Sequence, residues 1–591
     1  MHITVAESPT TPPWQAAPAP DLMLLEAVYQ EAIHAHLNLH PAVARIAARR
    51  ISSVAEIETW LNPLRAPFCD PTQIHDVDLA VTRLRHAIQA HQSILVFGDY
   101  DTDGITATAL MTQALRQCGA RVTSFIPDRE REGYGLTPAA IERCLNENPK
   151  PDLLVTVDCG ISCVDEVAYL NQLGIEVIIT DHHVPPEQLP PAYAIVNPRL
   201  GAPKGAENMC GCATAHALIR ALAVHFPACD HRLFLDLVAI ATIADVMSLT
   251  GENRSLVTKG LSILSKYQNG NPGLHALAEV HNLKFAELTA EQLAFKLIPC
   301  INAASRIGNC ACACTLINLS PPAKWSTQSD ALKQACRQAA NELKAANQER
   351  REIEAYLRNV IDSQALPQFK NLIFAAGTRD EGFHPGVLGI VAARLSEQSG
   401  VPAVVCCIQA DGSGCGSIRS RGGWHAVKAL DTVSDLLAHY GGHAAASGFS
   451  LKPGAFTAFR ERFPKAFEEG QVEAEPITYD ESLDCVIDEG LLDSLDLLEP
   501  FGNGNPKPVF AKTFILNTHR NIGADKTHLD LTLRDPARQG PGFTRAVWFG
   551  AAHRASTWQS GMRLRLLFTI SRDTYHPNVP SLHLIDALPL P

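Results

Sequence analysis

The sequence predicts an α/β chain built from a parallel-sheet domain, a long connecting helix, a second α/β unit and a small C-terminal barrel or sandwich. Three observations carry this reading. From about residue 80 to 260, short apolar runs alternate with Ala/Leu-rich helical stretches, the pattern of a parallel sheet covered on both faces. Residues 331–361 contain neither Gly nor Pro and are rich in Ala, Leu, Lys, Glu, Gln and Arg, which favours one helix. Residues 475–591 alternate apolar and polar positions in runs such as HLDLTLRD and MRLRLLFTIS, the period of antiparallel strands.

A chain of 591 residues can bury several cores, roughly three to five domains by size. Residues 1–20 hold five prolines and few large apolar groups and predict a mobile tail, the start of an N-terminal tail and helical extension over 1–75. The parallel-sheet domain is placed at 76–265, with runs ILVFGDYD (94–101), GITATALMTQALRQCG (104–119), DLLVTVDCG (152–160) and IEVIITDHH (175–183). A helical region with the connector, opened by Ser329-Asp330, covers 266–365; the second α/β unit covers 366–465; an acidic linker and the barrel cover 466–591.

The net charge of -12, from 50 Lys+Arg against 62 Asp+Glu, argues against bulk electrostatic coating of nucleic acid. That average hides its distribution. Residues 466–500 hold twelve acidic and no basic side chains, while 501–591 carry eleven basic against five acidic. The C-terminal barrel is therefore basic and the segment before it acidic. The 17 cysteines are odd in number and sit mostly in apolar runs such as VVCCI (404–408), which predicts reduced thiols and a cytoplasmic protein. The N-terminus lacks a basic segment followed by an apolar one, and no uninterrupted apolar run of about 18 residues occurs, so neither export nor a membrane span is expected.

Acidic and histidine residues cluster where the apolar strands end, the side of an open α/β sheet on which ligands bind. Asp99, Asp101 and Asp103 alternate in DYDTDG, and such carboxylates repel one another unless a cation lies between them. An Asp-rich turn with a helix cap is the plainer alternative. Asp158 ends LLVTVD, Asp181-His182-His183 ends VIIT, and Asp245 lies in the apolar segment DLVAIATIADVM (236–247), where an unpaired carboxylate is costly. Carboxylates with imidazoles at convergent strand ends fit two Mn²⁺ or Mg²⁺ ions better than structural zinc, which recruits thiolates.

DYDTDG, VDCG, DHH and IADVMSLTGENR (243–254) resemble, in order and spacing, the four successive motifs of the DHH phosphoesterase superfamily. GSIRSR (416–421) and GGHAAASGF (441–449) resemble its DHHA1 associated domain, and PFGNGNPKPVF (500–510) the segment leading into the OB-fold of the superfamily's single-stranded-DNA exonucleases. The resemblance covers about 80–591. It implies metal ligation by Asp101, Asp103, Asp158, His182 and Asp245, with Asp158 bridging two ions and Asp99 a ligand or orienting group. It further implies that His183 faces the scissile phosphate, that Arg306, Ser417 and Arg419 contact a 5′ phosphate, and that His443 lines the DNA channel. Tyr134 in EGYGL is a candidate platform for a base, or an ordinary core Tyr.

Three positions depart from the family pattern. Phe97 stands where the pyrophosphatase branch has a ligating His, implying a metal held by fewer protein ligands; Ser305 stands where Gly is common; and Cys310, Cys312 and Cys314 replace small or apolar residues. Thiols two apart spread around a helix axis, so packing explains that cluster better than zinc.

The function so implied is a metal-dependent hydrolase degrading single-stranded DNA 5′→3′ to 5′-mononucleotides in recombination and repair, as a monomer working with a helicase and a single-strand-binding protein. Two alternatives are weighed against it. A superfamily phosphodiesterase acting on short oligonucleotides, cyclic dinucleotides or pyrophosphate would usually be shorter and lack the barrel. An inactive scaffold resembling Cdc45 would have lost metal ligands that are all present here.

Overall fold

Alternate residues of each apolar run in the first domain face opposite ways, and the computed structural model shows two cores receiving them. It describes residues 14–591 except 130, 134, 268–269, 309, 319–323, 365, 368, 370, 422, 469–475, 524, 539–541 and 574–578. Ile94, Val96, Val155, Val157 and Ile178 enter one core, covered by helices Val77–Gln89, Thr102–Gln117, Gly211–Ala223 and Leu235–Ala244. Leu95, Phe97, Leu154, Val177 and Ile179 enter the other, under helices Pro138–Glu147 and Val164–Gln172. The five strands are all parallel, in the order Arg121–Phe125, Ser93–Phe97, Leu153–Val157, Glu176–Thr180, Ala194–Val196. The chain reverses direction across the sheet beside Ser93–Phe97, so loops leaving Phe97 and Val157 diverge and open a crevice at the strands' carboxyl ends.

The connector forms as its composition predicts: one helix, Asp330–Ser363, capped by the Ser329 side chain on the Leu332 N–H. Its apolar face, including Cys336, Ala340 and Leu343, joins the larger core of the first domain, and Leu357 and Ile361 join that of the second α/β unit. One rigid element thus fixes the two domains against each other. The second unit is a five-stranded mixed sheet in the order Leu437–Gly442, Ala446–Leu451, Gly414–Arg419, Ala403–Ile408, Ile373–Thr378.

At the C-terminal end, five strands close into a barrel through the pairing of Phe510–Ile522 with Arg563–Arg572, resolving the choice between barrel and sandwich. The N-terminal region differs from expectation. Residues Trp14–Ala16 pair with Ile477–Tyr479, and Trp14 donates its indole N–H to Asp586 (2.8 Å); of the expected tail over 1–20, residues 1–13 lie outside the described residues. Val28, Val43, Ile46 and Trp60 of the N-terminal helices share one core with Leu491, Phe510 and Leu566. The acidic stretch before the barrel is likewise structured where it is described: Glu481 accepts from Arg45 and Arg49, and Asp493 and Asp496 accept from Arg572. Part of its charge is met by arginines on both sides. No helix among the described residues is long and apolar enough to cross a membrane.

Candidate metal centre and phosphate pocket

Four loops deliver the acidic cluster. Asp99 and Asp101 follow the strand ending at Phe97; Asp101 caps the helix Thr102–Gln117 by accepting the Gly104 N–H (3.1 Å), and Asp103 lies in its first turn. Asp158 follows Val157 with φ 62°, a left-handed conformation that Asp tolerates better than most residues. Asp245 is the C-terminal cap of the helix Leu235–Ala244. His182 ties these together: its Nε2 lies 3.2 Å from Asp158, 3.5 Å from Asp245 and 3.9 Å from Asp103. Asp99, Asp101 and Asp158 each offer an oxygen to a second close group. Asp158 thus lies close both to Asp99 and Asp101 and to His182.

The cluster is electrostatically incomplete without cations. Burial first, and then Asp101, pushes the Asp99 carboxyl well above the usual range; burial and Asp103 do the same to Asp158. Asp245 is pushed up to about 8 by burial and by Asp103 and Asp101, while burial lowers the pKa of His182 and so favours the neutral imidazole a metal needs. Asp99 Oδ1, His182 Nδ1 and Asp245 Oδ2 are buried and make no hydrogen bond among the described residues. Oxygen donors with one or two imidazoles fit Mn²⁺ or Mg²⁺. The packing leaves no slack: a Cβ on Gly211, which starts the helix Gly211–Ala223, would lie 2.5 Å from the Asp158 Cβ. That helix's first N–H groups, from Gly211 and Cys212, instead donate to Asp103 (2.7 and 2.8 Å).

His183 lies close enough to Asp158 and His182 to form a third group with them, but its imidazole is held by Asp181. Its Nδ1 lies 2.8 Å from Asp181, a fully buried carboxylate that also accepts the N–H groups of Ile161, His182 and His183. Burial opposes the imidazolium, yet the hydrogen bond and charge of Asp181, with Asp245 and Asp103, raise its pKa to about 9.

A second, basic site faces the acidic one. Arg419 donates to Ser417 Oγ (2.8 Å), and both pack against the first turn of the helix Leu388–Ser399, where a Cβ on Gly389 would lie 2.8 Å from the guanidinium. Arg306, at the end of the helix Ile298–Arg306, donates to the Gly386 carbonyl (3.2 Å) just before that turn. Burial and the charges of Arg129, Arg350 and Arg419 lower the Arg306 pKa to about 10, which leaves it cationic at neutral pH. Converging guanidinium groups beside a helix N-terminus make an anion site. The structure therefore brings Arg306, Ser417 and Arg419 together, on the Asp101 side of the metal cluster, whose charge Arg306 senses. His443 sits on the exposed turn between strands Leu437–Gly442 and Ala446–Leu451, hydrogen-bonded there through its backbone to Ala446. Tyr134 lies outside the described residues.

Family models for the DHH family N-terminal domain, the DHHA1 domain and the RecJ OB domain match residues 93–242, 370–469 and 483–586. The single-stranded-DNA-specific exonuclease RecJ of Haemophilus influenzae is 32% identical over 566 residues, covering 91% of this chain and 94% of the relative. The chain belongs to the RecJ family. The Bacillus subtilis RecJ exonuclease is 33% identical over 85% of this chain, which spans 62% of that relative's length. The crystal structure of Thermus thermophilus RecJ in complex with Mn²⁺ superposes with a TM-score of 0.77 at 29% identity, covering 98% of this chain and 79% of that one.

Within this RecJ framework, several residues emerge that sequence reasoning left without a role. Asp181 was legible only as part of the DHH string, since nothing in the sequence shows that it faces His183 and not a metal. Asn302 accepts from both the backbone N–H and the hydroxyl of Thr102 (3.0 and 2.7 Å), joining the Arg306 helix to the DYDTDG turn. Arg199 and Asn197 hold the carbonyls of His182 and His183 (2.6 and 3.0 Å). Phe97 is fully buried against Phe125 and takes no part in the cluster. Cys312 packs at the connector, with Ala339 and Glu342 as neighbours, and serves the core as expected.

Proposed function

We propose that this protein is a metal-dependent exonuclease that degrades single-stranded DNA 5′→3′ to 5′-mononucleotides, in recombination and repair. The observation carrying the reading is the pairing of a dense carboxylate–imidazole cluster with a basic pocket beside it. Asp99, Asp101, Asp103, Asp158, His182 and Asp245 would hold two Mn²⁺ or Mg²⁺ ions, which supply Lewis acidity, an activated water and charge neutralisation. His183, oriented by Asp181, offers Nε2–H to a phosphate oxygen on which charge accumulates. Arg306, Ser417 and Arg419 grip the terminal 5′ phosphate and so set which bond reaches the cluster. Breaking the bond from phosphorus to the 3′ oxygen releases a 5′-mononucleotide and leaves a new 5′ phosphate, ready for the same pocket.

The closed barrel and its excess of Arg and Lys supply a surface for the strand behind the site, while His443 on its exposed hairpin is placed to meet the DNA backbone. A duplex must be opened before a single-strand-specific enzyme can digest it, which supports cooperation with a helicase and a single-strand-binding protein; a monomer in the cytoplasm completes the reading. Digestion of end-labelled single-stranded and blunt duplex DNA, with and without Mn²⁺, tests it. Release of 5′-labelled mononucleotides from the single strand alone, only with metal, is the expected result. Cleavage of short oligoribonucleotides or cyclic dinucleotides in preference to DNA, or no hydrolysis at all, would overturn it.

A further inference from the structure

The motif PFGNGNPKP precedes the barrel, far in sequence from the metal cluster, yet it docks directly behind Asp245. The helix Leu235–Ala244 ends at Asp245, and the next residue, Val246, adopts φ 55°. Met247 N–H closes back on Thr242, completing a turn whose left-handed position is normally Gly or Asn. A β-branched residue there is strained. Val246 is also 65% exposed, so side-chain packing does not hold it in place.

What grips this turn is Asn503. Its side-chain amide donates to the Val246 carbonyl (2.8 Å), and its own carbonyl accepts the Leu249 N–H (2.7 Å). The flanking glycines permit the approach: a Cβ on Gly502 would lie 2.7 Å from Leu249 Cδ1, and one on Gly504 would lie 2.0 Å from Ser248 Oγ. Asn505 in turn braces the loop by donating to the carbonyls of Leu498 and Pro500 (2.7 and 2.8 Å). Asp245 Oδ2, one residue before the clamped position, is one of the buried oxygens that make no hydrogen bond among the described residues. The aim of that carboxylate therefore depends on the backbone of the turn.

We propose that Asn503 is a positioning residue for the metal centre: it holds Val246 in the left-handed conformation that aims Asp245 at the cluster, which makes metal affinity depend on docking of the segment that leads into the barrel. This rests on the metal centre proposed above. The test is calorimetric titration of the full-length, metal-free protein with Mn²⁺, accompanied by thermal melting of the metal-free form. Asn503→Ala is expected to weaken Mn²⁺ binding about tenfold, the range seen when a group orienting a ligand is lost. Adding Val246→Gly, which takes φ 55° without strain, should restore most of that affinity.

Rescue by glycine separates positioning from adhesion between domains, because Gly at 246 replaces no lost contact. An Asn503→Ala isotherm that superposes on the wild type, or weakened binding that Val246→Gly does not recover, overturns the proposal. Should Asn503→Ala not fold, Asn503→Asp keeps the shape and the backbone bond to Leu249 but has no side-chain N–H to donate, and the same outcomes apply. If the wild-type protein takes up no Mn²⁺, the metal centre itself is at fault.

Discussion

Nδ1 of His183 lies 2.8 Å from Oδ1 of Asp181, and the same carboxyl group receives three backbone N–H groups from Ile161, His182 and His183. The carboxylate is thereby locked in place and in turn locks the imidazole, fixing Nδ1 as a protonated nitrogen and directing Nε2 outward. Asp181→Asn keeps the shape but weakens this control. The expected result is a loss of kcat of about 10- to 100-fold with Mn²⁺ affinity little changed, measured by single-turnover digestion and by calorimetry. Equal loss of metal binding would place Asp181 among the ligands instead.

Asp158 sits in the left-handed region between two groups of like-charged neighbours. Asn tolerates that backbone and removes one charge from the crowd. Asp158→Asn should abolish hydrolysis, by more than the roughly 100-fold cost of losing an orienting group, while the metal-free protein melts no lower than the wild type. A variant with near-normal activity in Mn²⁺ would remove Asp158 from the bridging role.

Arg419 belongs to the proposed 5′-phosphate pocket, which is separate from the acidic cluster. Arg419→Ala should raise KM for 5′-phosphorylated DNA by about tenfold or more while changing kcat less, because a charge-assisted hydrogen bond to phosphate contributes about 1.5–3 kcal/mol. Wild-type rates that are equal on 5′-phosphate and 5′-hydroxyl strands would sink this assignment.

Glu499 gives a pH signature outside the acidic cluster. Burial, and then the charge of Asp496, raises its pKa to about 7. A carboxyl raised above its unfolded value stabilises the fold least when ionised, so its contribution weakens as pH rises from about 4.5 through 7. Glu499→Gln should raise the melting temperature by a few degrees at pH 8 and by little at pH 5. A pH-independent difference between the two proteins would contradict it.

Glu481 tests the N-terminal module. It is a largely buried carboxylate shared by Arg45 (2.8 Å) and Arg49 (2.7 Å), and its strand continues the barrel sheet beside Phe510. Glu481→Ala strands two guanidinium groups and should cost about 2 kcal/mol in urea unfolding, with nuclease activity per folded molecule preserved.

The elements that could be read from the sequence are those whose cause is local. The connector helix was legible because 34 residues without a breaker follow a Ser cap, and the parallel strands because burial on both faces leaves unbroken apolar runs. Asp101, Asp158 and His182 stood out because acids and an imidazole gather where apolar strands end, and Asp245 because a carboxylate in an apolar segment demands a partner. Residues 14–61 were not, since a three-residue strand in a proline-rich segment and short helices acquire meaning only against Ile477–Tyr479 and Phe510. By itself, then, the sequence determined the fold class, the metal-binding chemistry and the family. Only the tertiary structure decided that Asp181 pairs with His183, that Asn302 joins the Arg306 helix to the DYDTDG turn, and that Asn503 clamps the residue after Asp245. The physical reason is that neither a hydrogen bond between residues 200 or more positions apart, such as Thr102 to Asn302, nor the side-chain direction that turns Asp181 to His183 is written in local spacing; each exists only once packing has fixed both partners to within a few tenths of an ångström.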